Sequence, residues 1–227
     1  MSQNRIIILI FTILIIVSIL PAIFSDRPIN LDLQTELEPK EIYNNSINSI
    51  VEVIAYDSKG FSYNRGTGFI IQSDGIILTN YHIIKDAEKS SISFKNGKEV
   101  FVTSILDFNS EIDFAILKIE ENNLSFLTLG NSDKVEIGDL VYTIGNPQGF
   151  NFTLSNGIVS NISDGNTIMQ KAGYSRFGNL MQTTAAISGG SSGGPLLNTY
   201  GQVIAIIRGS YSGQNLNICV PIKTIIN

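Results

Sequence analysis

Three residue types in this chain have the reactivity to do covalent chemistry together. The stretch "ISGGSSGGPLLN", residues 187–198, holds Ser191 and Ser192 among glycines. Gly190-Ser191-Ser192-Gly193-Gly194 fits G-x-S-x-G, a pattern that presents a serine hydroxyl at a tight turn. Such a hydroxyl is a poor nucleophile until a neighbouring base takes its proton, and the base needs a carboxylate to fix its tautomer. The chain contains one histidine, His82, in "ILTNYHII". It lies 110 residues before Ser192, and none of the 35 residues after Ser192 is His. That order excludes the α/β-hydrolase elbow, where the histidine comes last. A phosphate-binding loop is excluded too, because Pro195 stands where that motif needs Lys.

The carboxylate has two candidates. Asp113 sits in the apolar setting "EIDFAILKI", where period two places it on one face with Ala115 and Leu117. A carboxylate on that face points inward and needs a partner. A residue that caps a turn at a strand start is the other reading of Asp113. Asp107, in "ILDFNSEID", is the rival acid, in a loop position. A lone histidine also has a structural reading, as a satisfied core residue. Cys219, the single cysteine, lies in the apolar run "LNICVP" and reads as a buried thiol. It permits neither an intrachain disulfide nor a cysteine-based zinc site.

These residues must be held by strands. From residue 46 the chain consists of short runs rich in Ile, Val, Phe and Tyr, separated by turn residues. "FIIQSDGIILTN" reads as a hairpin turning at Asp74-Gly75, and "SISFKNGKEVFV" as one with Asn96-Gly97 in a tight primed turn. Twelve strands are expected, over 49–56, 67–72, 76–79, 90–94, 99–106, 113–119, 140–145, 154–160, 180–184, 195–197, 202–207 and 216–220. Six precede residue 120 and six follow residue 139. The pattern predicts an all-β protein, either a pair of barrels or a sandwich. Helical periodicity is confined to the N-terminus, apart from a turn or two in "YHIIKDAEK".

His82, Asp113 and Ser192 follow the chain order of the chymotrypsin-type triad. "TNYHII", "DFAILKI", "LGNSDKVEIGDLVYTIGNPQGF", "NGIVS" and "QTTAAISGGSSGGPLLN" together resemble the HtrA/Deg family of serine proteases. The resemblance runs from residue 46 to the end. It implies a trypsin-like domain over 46–227, with six-stranded barrels over about 46–125 and 126–227 set perpendicular and an active site between them. Carried over by position, His82 is the general base, Asp113 its orienter and Ser192 the nucleophile. The backbone N–H groups of Gly190 and Ser192 form the oxyanion hole. The implied function is endopeptidase cleavage of exposed or unfolded polypeptide through an acyl-enzyme, in protein quality control, without cofactor or metal, by homotrimers. Three positions depart from the family pattern: Ser191 replaces Asn, Thr184 replaces Asp, and Gly189 stands where Pro is often found. None removes a triad atom. A non-catalytic, chaperone-like relative on the same fold is the alternative. Ile187, Ser188, Gly189, Ile206, Ile207 and Arg208 are expected to line the substrate pocket; apart from Arg208 they favour modest aliphatic side chains. The chain ends where the family's protease domain ends, so no PDZ domain is expected.

Composition agrees with a buried globular domain: 43% of residues are hydrophobic and 15% charged. The net charge of −5 supplies no basic stripe, which argues against a nucleic-acid partner. Residues 6–24, "IIILIFTILIIVSILPAIF", carry no charge, and as a helix they span roughly 28 Å, close to the thickness of a bilayer core. Residues 1–25 therefore read as one transmembrane anchor. A cleaved signal is the competing reading, though its apolar region is usually shorter and no A-x-A site follows. Residues 26–45 read as a linker. Both readings put the domain outside the cytoplasm, membrane-anchored or secreted.

Overall fold

Alternation along the strands decides where this chain buries its apolar surface. The computed structural model describes residues 35–146, 152–164, 179–210 and 216–226. Within them, β1 (Ile50–Tyr56), β2 (Ser62–Gln72), β3 (Ile76–Thr79), β4 (Lys89–Phe94), β5 (Glu99–Phe101), β6 (Ser104–Asn109) and β7 (Phe114–Lys118) form one sheet in the order β5-β4-β1-β2-β3-β7-β6. β8 (Leu140–Gly145), β9 (Thr153–Asp164), β10 (Asn179–Thr183), β11 (Pro195–Leu197), β12 (Val203–Ser210) and β13 (Asn217–Pro221) close into a six-stranded barrel. The second half is thus the six-stranded barrel that the HtrA/Deg resemblance implies.

The first half is not a closed six-stranded barrel but an open seven-stranded sheet. The strand expected over 99–106 divides at residues 102–103: Val102 N–H donates to Ser90 C=O on β4, and Thr103 N–H to Lys118 C=O on β7. Only those two residues join opposite edges of the sheet, and two residues reach at most about 10 Å. The sheet must therefore curl until its edges nearly meet. The Asn96-Gly97 turn also differs from expectation. Gly97 alone has positive φ (83°), with Gly97 N–H bonded to Phe94 C=O and Phe94 N–H to Lys98 C=O. That is a type I turn closed by a left-handed glycine, not a primed turn.

Three apolar clusters follow from the alternation. Val51, Val53, Ile70, Ile77, Ala115 and Leu117 fill the curl of the first sheet. Val141, Val159, Met181, Leu196, Ile207 and Cys219 fill the second barrel. The opposite faces of the first sheet, through Ile50, Phe69, Leu78 and Phe114, meet Tyr142, Ile144, Leu197 and Ile206 in a seam between the two. Burial pushes the Cys219 thiol well above its usual range.

Three short α-helices, α1 (Pro39–Ser46), α2 (Tyr81–Ile84) and α3 (Ile222–Ile226), and two 3-10 turns, Ile47–Ser49 and Ser132–Lys134, complete the described chain. α1 corrects the linker reading of residues 39–45. Pro39 opens it, Glu38 and Glu41 form a capping box, and Ile42 is buried in the seam. The segment 6–24 lies outside the described residues. Among the described residues no helix is long and apolar enough to cross a membrane.

Candidate active site

His82 stands in the single turn of α2, directly after β3. Asn80, at the cap position, makes no side-chain cap, so the first helical N–H groups need another acceptor. Asp113 supplies it: His82 N–H donates to Asp113 Oδ1 at 2.8 Å. The other oxygen, Oδ2, lies 2.7 Å from His82 Nδ1. A carboxylate only accepts, so Nδ1 carries the ring proton and Nε2 keeps its lone pair. One carboxylate therefore caps the helix and sets the tautomer.

Asp113 reaches this place through a turn and not through the pleat. Asn109 Oδ1 accepts from the N–H groups of Glu111 and Ile112, and Asn109 C=O accepts from Asp113 N–H at 2.8 Å. Asp113 itself has φ 70°, the left-handed region, one residue before β7 starts. The alternation from Ala115 and Leu117 stops short of it, so its buried carboxylate has a different cause from the one the pattern offers. Asn80 Nδ2 holds the Asp113 carbonyl at 2.8 Å. Only 6% of the Asp113 side chain is exposed, against 44% for His82. An unpaired carboxylate so buried costs several kcal/mol, roughly, which is why three donors converge on it. The third is Arg208 Nε, 3.3 Å from Oδ2. Asp107 is exposed and its Oδ1 accepts from Phe108 N–H, so it takes no part.

Ser192 arrives from the second barrel. Ser191 N–H donates to Ser188 C=O at 2.9 Å and Gly194 N–H to Ser191 C=O at 3.0 Å, with Gly190 and Gly193 at φ 96° and 83°. This winding buries Ser191, while Ser192 stays half-exposed. Thr67 N–H on β2 donates to Ser192 C=O at 2.8 Å, and Thr67 Oγ1 donates to Gly190 C=O at 2.7 Å. A Cβ added at Gly66 would stand 2.3 Å from Ile83 Cδ1 and 3.0 Å from Ser192 O, which sets Ser192 beside the helix of His82. The Ser192 hydroxyl donates to Arg208 C=O at 3.1 Å. The N–H groups of Gly190 and Ser192 have no acceptor among the described residues.

The residues expected to line the substrate pocket are dispersed. Ile206 and Ile207 have no exposed surface and belong to the seam and the barrel core. Ile187 and Ser188 are half-buried and Gly189 is exposed. Arg208 alone of the six lines the cleft of about 680 Å³ at His82, with Lys85, Ser110, Asp113 and Gly209. Thr184 Oγ1 accepts from Ile158 N–H at 2.9 Å, tying the start of the serine loop to β9. Sequence reasoning missed Thr67 and Asn80, both buried and both bonded to the backbone of site residues. Asn80 had a signal, since it immediately precedes the Tyr-His pair; a threonine within a strand gives none. Among the described residues, no three of His, Cys, Asp and Glu gather into a metal-ligand set.

An open curled sheet and a closed barrel, with a carboxylate–imidazole pair on one and a glycine-wound serine on the other, define the trypsin-like class. Residues 66–206 match the family described as trypsin-like peptidase domain, and the chain belongs to that family. Within it, the chain is 40% identical over 161 residues to a Chlamydia muridarum protein named as a DegP-like periplasmic serine endoprotease, covering 69% of this chain and 31% of that one. A Synechocystis protein named as the serine protease HhoB is 36% identical over 165 residues, 71% of this chain and 38% of its own length. The chain thus spans about a third of the length of these curated relatives. The solved structure of the HtrA-type protease AlgW with a tripeptide superposes with a TM-score of 0.75 at 27% identity, covering 83% of this chain and 61% of that one. A serine endoprotease from Yersinia pestis gives 0.71 at 27% identity, over 85% and 65%. The HtrA likeness read from the motifs is thereby established.

Proposed function

We propose that this chain is a serine-type endopeptidase that cleaves exposed or unfolded polypeptide outside the cytoplasm. The observation that carries the reading is the 2.7 Å contact of Asp113 with His82 Nδ1, which leaves Nε2 as a base beside the serine loop. A hydroxyl proton serves one acceptor at a time, so Ser192 turns from Arg208 C=O to His82 Nε2 when substrate arrives. His82 takes the proton as Ser192 Oγ bonds to the scissile carbonyl carbon. The resulting oxyanion is met by the N–H groups of Gly190 and Ser192, which have no acceptor among the described residues to give up. Collapse of this intermediate breaks the C–N bond, His82 protonates the leaving amine, and the acyl-enzyme is then hydrolysed by water that His82 deprotonates.

Two further parts of the proposal come from the N-terminus and the relatives. Residues 6–24 tether the domain to a membrane, and the relatives named as periplasmic support an extracytoplasmic site. Quality control and homotrimers are carried over from the HtrA resemblance.

Labelling of the full chain with a fluorophosphonate tests the reading. Ser192→Ala abolishes labelling and peptide cleavage, whereas Ser191→Ala keeps both, since Ser191 is turned inward. A folded parent that takes no label sinks the proposal. It would favour the non-catalytic alternative, for which the resting bond of Ser192 to Arg208 is the supporting observation.

A further inference from the structure

Arg208 touches two members of the triad at once. Its carbonyl accepts the Ser192 hydroxyl at 3.1 Å, and its Nε lies 3.3 Å from Asp113 Oδ2. β12 and β13 slip register between Ile207 and Gly209, so Arg208 sits at a bulge. Bulges re-aim side chains, and here the side chain leaves the second barrel for a carboxylate held by the first sheet. The contact joins the two halves, whereas Arg65–Glu52 and Lys98–Glu121 pair on the first-sheet side and Lys223–Asp133 on the second. Only 15% of the Arg208 side chain is exposed, so little water screens the contact.

We propose that Arg208 is a positioning residue that locks the Asp113–His82 pair of the first sheet in register with Ser192 of the second barrel. The inference rests on the endopeptidase reading. Its physical basis is that base and nucleophile stand on different sheets, so their separation depends on how those sheets dock. Arg208 is fixed to the nucleophile through its own backbone and to the carboxylate through a charge-assisted hydrogen bond, which shortens that chain of dependence to one residue. Misplacement of reacting groups by about 1 Å costs up to about a hundredfold in rate.

The test compares the full chain with Arg208→Ala and Arg208→Gln. The Gln side chain puts Nε2 where the Arg Nε stands, so it keeps a neutral donor and drops the charge. On a short chromogenic peptide, Arg208→Ala lowers kcat about tenfold to a hundredfold with KM within about twofold of the parent, and Arg208→Gln falls between. Fluorophosphonate labelling slows in the same order. Millimolar guanidinium restores several-fold of the lost kcat in Arg208→Ala, and equal sodium chloride does not. A kcat within about twofold of the parent in Arg208→Ala overturns the inference. So does a loss that guanidinium leaves untouched. Should Arg208→Ala not fold, Arg208→Gln at parental kcat overturns it equally. A labelled parent beside an unaffected variant sinks this inference alone, whereas an unlabelled parent sinks the endopeptidase reading and this one with it.

Discussion

Gly189 and Gly190 are adjacent and identical, yet the backbone asks different things of them. Gly190 sits at φ 96°, while Gly189 lies outside the positive region and a Cβ there would meet nothing within 4 Å. A side chain in the left-handed region costs roughly 1–2 kcal/mol, and relief of that strain turns the neighbouring peptide. Gly190→Ala is therefore expected to lower kcat/KM about a hundredfold by re-aiming an N–H of the proposed oxyanion hole. Gly189→Ala stays within about threefold, because neither φ nor space opposes it. Paired kinetics on folded variants check this; equal losses would mean that the loop answers to bulk and not to φ. At this scale the sequence told much. The candidate trio of His82, Asp113 and Ser192 could be picked out because the chain has one imidazole and G-x-S-x-G selects Ser192 over its neighbour. Arg208 was legible only as a pocket residue, since a bulge that redirects it leaves no mark in composition.

Among the elements, the pairing of β1, β4 and β5 ends in a polar knot. Ser91 Oγ and Tyr56 OH donate to Glu99 Oε1 at 2.6 and 2.7 Å, and these bonds, that from Ser91 foremost, hold the Glu99 carboxyl below its usual range. A carboxyl whose folded value is depressed adds stability at pH values above its unfolded value, near about 4.3, and loses it as pH falls through the folded value. The melting temperature of Glu99→Gln should therefore fall less steeply than that of the parent on acidification below that point. The group is largely exposed, so the difference is small, at most about 3 °C. Parallel melts at neutral and acid pH measure it; identical slopes would remove Glu99 as a contributor. Most strands were readable from β-branched runs, but the break between β5 and β6 was not. Val102 and Thr103 carry no turn chemistry, and only distant carbonyls on Ser90 and Lys118 divide them. α1 was readable in principle, from Glu38-Pro39-Lys40-Glu41, and was obscured by its amide-rich tail.

For the molecule as a whole, one close approach of the barrel to the sheet is made at a glycine. A Cβ at Gly193 would stand 2.1 Å from Thr67 O and 2.5 Å from Thr79 Oγ1, at φ 83°. Gly193→Ala must push the serine loop off the first sheet, at a cost of about 3–4 kcal/mol, which lowers the melting temperature by roughly 10 °C. A melt within about 2 °C of the parent would show that the seam yields locally. The two-part plan was legible in the spacing of strands; the openness of the first sheet was not, because closure depends on edge hydrogen bonds that no residue type announces. The second barrel also carries a clock. Cys219, the chain's single thiol, is shut inside it between Met181 and Ile207, protonated and inert while the ladder holds. An alkylating reagent can reach it only during the moments when β13 parts from its neighbours. Under native conditions the pace of that reaction counts those partings, so the breathing of the strand paired with that of Arg208 can be timed at a native side chain, with no residue substituted.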